Sequence, residues 1–122
     1  MKLISLNAWG GRVHKPLLGF LKGNQETDIF CFQEIYKDAG GKETIYLDAE
    51  LGIYEDIENS LPSHTGLYHP HLRDYYGLAT FVKEGIEVTK TGEQYVHREK
   101  GYIPTAHIGH HAKNVSFVEV NQ

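Results

Sequence analysis

Residues 28–34 decide the fold, and they read Asp28-Ile29-Phe30-Cys31-Phe32-Gln33-Glu34. Four apolar residues in succession between polar ones predict a strand that is buried on both faces, as in parallel sheets covered by helices. Glu34 follows this run closely, so its carboxylate would lie at the rim of a dry core. An unpaired charge is costly there, and a divalent cation is an effective partner for it.

The residues before this strand predict a strand–helix unit. Leu3-Ile4-Ser5-Leu6 is a short apolar run that is closed by Asn7 and then by Gly10-Gly11, the pattern of a buried strand that ends in a loop. Residues 13–22 carry apolar side chains at helical spacing, and Gly23 can end that helix. Together with residues 28–34, the pattern predicts two parallel strands joined by a helix.

The rest of the chain predicts a change of layer within one domain that spans residues 1–122. Residues 42–51 have a diffuse apolar stripe that predicts a second helix, whereas residues 57–71 look irregular. Apolar runs rich in β-branched and aromatic residues then predict an antiparallel meander, with the layer change near residues 60–65. The predicted strands of the meander are 75–82, 86–96 and 115–120. The fold class is therefore α/β (α+β), a mixed sheet with helices on one face.

Composition excludes several classes of protein. The net charge of −4, from 16 acidic and 12 basic residues, gives no general attraction to a polyphosphate backbone. Nucleic-acid binding would therefore need a local basic patch or a bridging metal. Cys31 is the single cysteine, which excludes an internal disulfide and indicates a reducing, cytoplasmic location. No apolar stretch is long enough for a signal peptide or a membrane span.

Asn7 and Glu34 are the candidate site residues because each ends a predicted parallel strand. Ligand sites of open α/β sheets lie beyond the carboxyl ends of the strands. Mg²⁺ keeps several waters and takes one or two protein carboxylates, so a glutamate beside an amide would form half of a metal site. Position alone also fits a simpler interpretation, in which polar residues end these strands because the chain reaches the surface there.

Three segments carry a family resemblance. Ile4–Gly11 (ISLNAWGG) and Asp28–Tyr36 (DIFCFQEIY) resemble the first two motifs of the endonuclease/exonuclease/phosphatase superfamily, and Tyr76–Val82 (YGLATFV) is similar to its next strand. This superfamily includes DNase I-like nucleases, sphingomyelinases and inositol polyphosphate phosphatases. The resemblance implies the N-terminal half of a DNase I-like four-layer α/β sandwich. It also implies hydrolysis of a phosphodiester or phosphomonoester in nucleic acid, phospholipid or sugar phosphate.

The same resemblance assigns roles to single residues. Glu34 would bind a catalytic Mg²⁺ or Mn²⁺, Asn7 would help to hold the metal and the phosphate, and Gln33 would support both. The family's later motifs, an Asp-x-Asn and a C-terminal Asp-His pair, do not occur in the 122 residues. We therefore expect a truncated enzyme domain whose isolated chain is inactive. Its open sheet face would expose apolar side chains and favour a dimer.

Eight histidines invite a different interpretation. His69-Pro70-His71 and residues 107–111 contain most of them, but neither cluster fits a standard zinc template, so we expect exposed loop histidines.

Tyr75 and Tyr76 would be half-buried packing residues, although they could also contact a substrate together with Tyr68 and Arg73. The alternative function is a non-catalytic module whose histidine- and tyrosine-rich loops bind a partner or a metal. Gly10-Gly11-Arg12 resembles a phosphate-binding loop only weakly.

Overall fold

The computed structural model describes residues 1–45, 47–105 and 107–121. Within them the chain forms six strands, two α-helices and two short 3₁₀ turns, at Trp9–Gly11 and Ile108–His110. The elements are, in chain order, β1 (Leu3–Asn7), α1 (His14–Lys22), β2 (Ile29–Tyr36), α2 (Ile53–Ser60), β3 (His64–Leu72), β4 (Tyr76–Lys83), β5 (Glu87–His97) and β6 (Lys113–Asn121).

Four strands form a mixed sheet in the order β1-β2-β4-β3. Strands β1 and β2 are parallel, with Leu3 opposite Ile29 and Asn7 opposite Gln33. Strand β4 is antiparallel to both of its neighbours, β2 and β3. Strands β5 and β6 pair only with each other, in a separate antiparallel hairpin. The structure therefore confirms the predicted strand–helix–strand unit and the mixed sheet.

Both helices cover the same face of the four-stranded sheet. Phe30, Phe32 and Phe81 are almost completely buried there, and Phe32 meets Phe81 edge to face with ring centroids 5.9 Å apart. Burial of each aromatic ring contributes about 1.5–3 kcal/mol to folding. The helices supply the other side of this core with four buried side chains, Leu17, Leu21, Ile53 and Ile57.

Helix α2 shows why the prediction of a helix at residues 42–51 was wrong. Those residues form turns and bends, apart from Tyr46, which lies outside the described residues. The helix forms further along, where Ile53 and Ile57 share one buried stripe, whereas the stripe in residues 42–51 is diffuse. Glu55 and Asp56 lie in its first turn, where negative charge interacts favourably with the helix dipole.

The prediction that residues 57–71 are irregular was also wrong, because they contain the end of α2 and most of β3. Strand β3 lies at the edge of the sheet, which explains how it accommodates Pro70 next to a register shift. A Cβ on Gly77 of β4 would lie 2.5 Å from the Pro70 Cα, so the close approach of the two strands requires glycine. The three strands predicted for the meander are present as β4, β5 and β6. They do not form one meander, because β4 pairs with β2 and β3, whereas β5 and β6 pair with each other, so the chain leaves the sheet after β4 and not near residues 60–65.

The hairpin lies against the other, open face of the sheet. The Tyr95 hydroxyl donates to the Pro70 carbonyl (3.0 Å), and the Asn114 amide donates to the His69 carbonyl (3.3 Å). A cleft of about 290 Å³ between β6 and the sheet is lined by Cys31, Gln33, Leu78, Thr80 and Phe117, among others. Self-association through this partly open face stays a prediction.

Candidate functional site

Hydrogen bonds fix the carboxyl ends of β1 and β2 side by side. The backbone N–H of Ala8 donates to the Gln33 carbonyl (2.9 Å), which extends the parallel ladder beyond Asn7. The Gln33 side-chain amide donates to the Ser5 hydroxyl (3.2 Å) and so joins the two strands a second time. The structure therefore places Asn7 and the residue before Glu34 directly opposite each other, at the edge where the sequence predicts a site.

Glu34 has an unusual backbone conformation. The pairing of β2 with β4 shifts register between Phe32 and Ile35, so that Gln33 and Glu34 lie in a β-bulge. The φ angle of Glu34 is +60°, in the left-handed region that non-glycine residues seldom occupy. Such bulges change the direction of a side chain and are common beside active sites. The strand does not end at Glu34, as the sequence predicted, because Ile35 and Tyr36 continue it and pair with β4. The bulge instead leaves Glu34 half-buried within β2, beyond the last residue that pairs with β1.

Asn7 uses one side-chain atom locally. Its Oδ1 accepts a hydrogen bond from the Trp9 backbone N–H (2.8 Å), so it stabilises the turn that follows β1. In that turn Trp9, Gly10 and Gly11 all have positive φ angles, of 52°, 64° and 79°. The Nδ2 group of Asn7 takes no part in this hydrogen bond, and the residue is exposed at the rim of the sheet. Asn7 can therefore donate a hydrogen bond to a ligand there.

The glycine turn does not form an open phosphate-binding loop. Gly10 and Gly11 are buried, the Gly11 N–H donates to the Ala8 carbonyl, and the Arg12 N–H donates to the Trp9 carbonyl. The Arg12 guanidinium lies 4.0 Å from the centre of the Trp9 ring and is 2.7 Å from an Asp48 carboxylate oxygen. The backbone donors and the arginine are thus engaged within the protein.

A cluster of two histidines, a tyrosine and a lysine lies near Glu34. The rings of His71 and His111 stack with centroids 4.8 Å apart and an angle of 8° between their planes. Tyr76 contacts both rings with its edge, and Lys113 Nζ lies 2.8 Å from His111 Nε2. We call these four residues the His71–Lys113 cluster. Gln33 and Asn114, the chain neighbours of Glu34 and Lys113, line one cleft between the sheet and β6, which brings the cluster and Glu34 to the same part of the molecule.

Burial dominates the protonation of this cluster. Burial, together with the neighbouring His111 and Lys113 charges, lowers the pKa of His71 to about 4. Burial also lowers the pKa of His111 and of Lys113 by more than Glu34 raises them. Both imidazoles are therefore neutral near pH 7. The sequence prediction of exposed loop histidines was wrong for His71 and His111, because strand pairing and the placement of β6 bring them together.

Most of the remaining prominent side chains have structural roles. The buried His64 ring makes a hydrogen bond with the Thr27 carbonyl (2.7 Å), whereas His107 and His110 are exposed as predicted. Tyr75 and Tyr76 are buried, which confirms the packing interpretation. Among the described residues no group of three or more His, Cys, Asp or Glu side chains could enclose a metal ion.

Glu34 therefore offers a partial metal site at most. A single half-buried carboxylate is compatible with Mg²⁺ or Mn²⁺, because these ions do not need an all-protein cage. Cys31 is a poor competitor for this role or for nucleophilic chemistry. Burial raises the pKa of its thiol, so that it is uncharged near neutral pH.

Comparisons with known proteins agree with this arrangement at the level of the fold. No protein-family model and no curated protein matches the sequence. A crystal structure of an endonuclease/exonuclease/phosphatase from Bacteroides vulgatus does match, with a TM-score of 0.57 over 95% of this chain. The chain has a DNase I-like fold. At 12% identity the likeness shows the fold alone, and the chain spans 44% of the matched protein, as expected for an N-terminal portion.

The helices also bear on membrane insertion. None of those in residues 1–45, 47–105 and 107–121 has the length and apolar character that a membrane crossing requires.

Proposed function

We propose that this chain is the N-terminal part of a divalent-metal-dependent phosphoesterase that hydrolyses phosphodiester or phosphomonoester bonds. Glu34 carries the proposal, because its left-handed backbone in a β-bulge holds a carboxylate near the carboxyl end of a buried strand, where the pairing with β1 stops. Backbone strain of this kind persists only where the surrounding structure enforces it, and it is concentrated at functional sites. The DNase I-like fold and the adjoining end of β1 support the same assignment.

Glu34 would hold Mg²⁺ or Mn²⁺ through its carboxylate. A bound divalent cation would supply charge stabilisation at a phosphoryl oxygen during attack by water. Asn7 would act on the phosphate, since its Oδ1 accepts from the Trp9 N–H and its Nδ2 group could donate to a phosphate oxygen. We therefore assign Asn7 to phosphate binding and not primarily to metal binding. Gln33 would support both residues through its hydrogen bond with Ser5.

The residues that would activate the attacking water are not among those described at this site. Catalysis by positioning requires the complete constellation, so we expect weak metal binding and negligible turnover from residues 1–122 alone. The substrate class stays open between nucleic acid, phospholipid and sugar phosphate. With a net charge of −4, substrate affinity would depend on the metal and on local cations near Glu34.

Metal binding tests the proposal directly. Mn²⁺ added to the ¹⁵N-labelled chain should broaden the backbone amide signals of Asn7, Glu34 and their neighbours first. Glu34→Gln keeps the shape of the side chain but removes its charge, and it should weaken this binding at least about tenfold. Glu84→Gln, at an exposed carboxylate in the turn between β4 and β5, is the matched control and should leave it unchanged.

Two results would contradict the proposal. Broadening that is centred elsewhere, or that is the same in Glu34→Gln, would remove Glu34 from the metal site. Hydrolysis of bis-p-nitrophenyl phosphate gives a second readout. Metal-dependent turnover by the isolated chain that is lost in Glu34→Gln would support the phosphoesterase assignment, but it would overturn the expectation that this chain is inactive alone.

A further inference from the structure

The Lys113 ammonium is held in place by His111. The Nδ1 of His111 lies 3.1 Å from the Ile108 carbonyl oxygen, and its Nε2 lies 2.8 Å from Lys113 Nζ. A carbonyl only accepts hydrogen bonds, so the His111 proton is on Nδ1. The Nε2 lone pair then accepts a hydrogen bond from the ammonium. One of the three ammonium protons is used in this way, and two remain for another acceptor.

His111 is itself a rigid support. It is 3% exposed, one face of its ring stacks on His71, and the Tyr76 ring meets it edge-on at 5.7 Å. Neutral imidazoles can stack at this distance without charge repulsion. Lys113, by contrast, is the exposed first residue of β6. The cluster therefore orients one flexible, solvent-accessible cation by means of a buried and well-packed acceptor.

Glu34 and Lys113 flank the same cleft, because their chain neighbours Gln33 and Asn114 both line the space between the sheet and β6. The charge of Glu34 also acts on His111 and Lys113. If Glu34 engages a divalent cation, its charge no longer compensates that of the lysine. A phosphate oxygen would then be the favourable partner for the ammonium, because charge-assisted hydrogen bonds to an anion are strong at a partly desolvated site. A metal ion at Glu34 would attract the same phosphate group.

We propose that Lys113 binds a phosphoryl oxygen of the substrate beside Glu34, and that His111 is its positioning residue. This inference rests on the proposed phosphoesterase function. It assigns a phosphate-binding cation to a chain whose net charge is negative. It also gives the β5–β6 hairpin a function, since β6 delivers a substrate contact from a distant part of the sequence.

Titration with inorganic phosphate tests the inference, with and without Mg²⁺, while the amide signals of Lys113 and Asn114 are followed by NMR. Saturable shifts are expected in the original chain. Lys113→Met should weaken phosphate binding about tenfold. Lys90→Met, on exposed β5 with its ammonium 5.7 Å from the Phe117 ring centre, should leave the affinity unchanged.

A pair of substitutions at His111 tests positioning. His111→Gln retains an acceptor near Nε2 and should keep most of the phosphate affinity, whereas His111→Leu removes the acceptor and should approach the loss seen in Lys113→Met. Because His111 is buried, dispersed amide spectra must first show that both variants fold. Equal affinity in folded Gln and Leu variants would overturn the positioning role.

Mn²⁺ binding at Glu34 separates this inference from the proposed function. If Mn²⁺ broadens the Glu34 signals but phosphate shifts are absent, or unchanged in Lys113→Met, the inference is overturned and the phosphoesterase proposal stands. If Mn²⁺ does not bind at Glu34 but phosphate binding is lost in Lys113→Met, the anion site is supported and the metal-dependent proposal fails.

Discussion

The four-stranded sheet and the β5–β6 hairpin both contain large apolar residues, but they bury them very differently. In the sheet, Phe30 is 0% exposed beneath the helices, whereas Phe117 on the hairpin is 41% exposed. Two hydrogen bonds, from Tyr95 and Asn114, attach the hairpin to the end of β3. The core of the sheet thus accounts for stability, while the hairpin brings side chains to the edge where Glu34 lies.

The largest expected effect comes from matched truncations of these two phenylalanines. Phe30→Ala should lower the free energy of unfolding by about 3–5 kcal/mol, because it removes a buried ring and leaves a cavity. Phe117→Ala should cost under about 1 kcal/mol, since its ring is already partly exposed to solvent. Urea denaturation followed by circular dichroism measures both. Similar losses in the two variants would show that the hairpin is as much a part of the core as the sheet.

This contrast matches what the sequence could and could not predict. Strands β1 and β2 and helix α1 follow from short apolar patterns that burial in one core reinforces. The edge that holds Asn7 and Glu34 follows from them, because parallel strands end together. Helix α2 was misplaced because its buried stripe is short and competes with a more diffuse one nearby.

The His71–Lys113 cluster could not be predicted, for a different physical reason. His71 and His111 lie 40 positions apart in the sequence, in two elements whose relative placement depends on the hairpin. The alternation of apolar and polar residues along β3 does not indicate which strand will pack over His71. The bulge at Glu34 could not be predicted from the sequence either, since a register shift depends on the pairing of β2 with β4. Tertiary placement, not local propensity, determines these features.

A change of pH tests the junction between the two regions. The folded-state pKa of His71 is about 4, below its ordinary value of 6.5, so between these values the unfolded chain binds a proton that the folded chain does not. The contribution of the neutral ring to the free energy of unfolding is therefore complete above pH 6.5 and falls by about 3 kcal/mol as the pH approaches 4. His71→Gln should lose this part of the pH dependence in urea denaturation at pH 7.5, 6.0 and 4.5.

The exposed His107 provides the control for that measurement. His107→Gln should retain the pH dependence of the original chain, because its ring is not buried between the two regions. Carboxylates that titrate near pH 4.5 affect every variant equally, so the difference between variants isolates the histidine. An identical pH dependence in His71→Gln and the original chain would mean that the His71–His111 stack does not stay neutral and packed in solution.

The smallest expected effect concerns the attachment of the hairpin. Tyr95→Phe removes the hydrogen bond to the Pro70 carbonyl and should cost about 1 kcal/mol, while the ring continues to pack. Thr89→Val, the control, removes a hydrogen bond to Glu119 within the hairpin and leaves the attachment intact. If the attachment positions Lys113, Tyr95→Phe should weaken phosphate binding and speed amide hydrogen exchange at the start of β6, and Thr89→Val should do neither. Equal behaviour of the two variants would mean that packing against the open face, and not this hydrogen bond, places the hairpin beside Glu34.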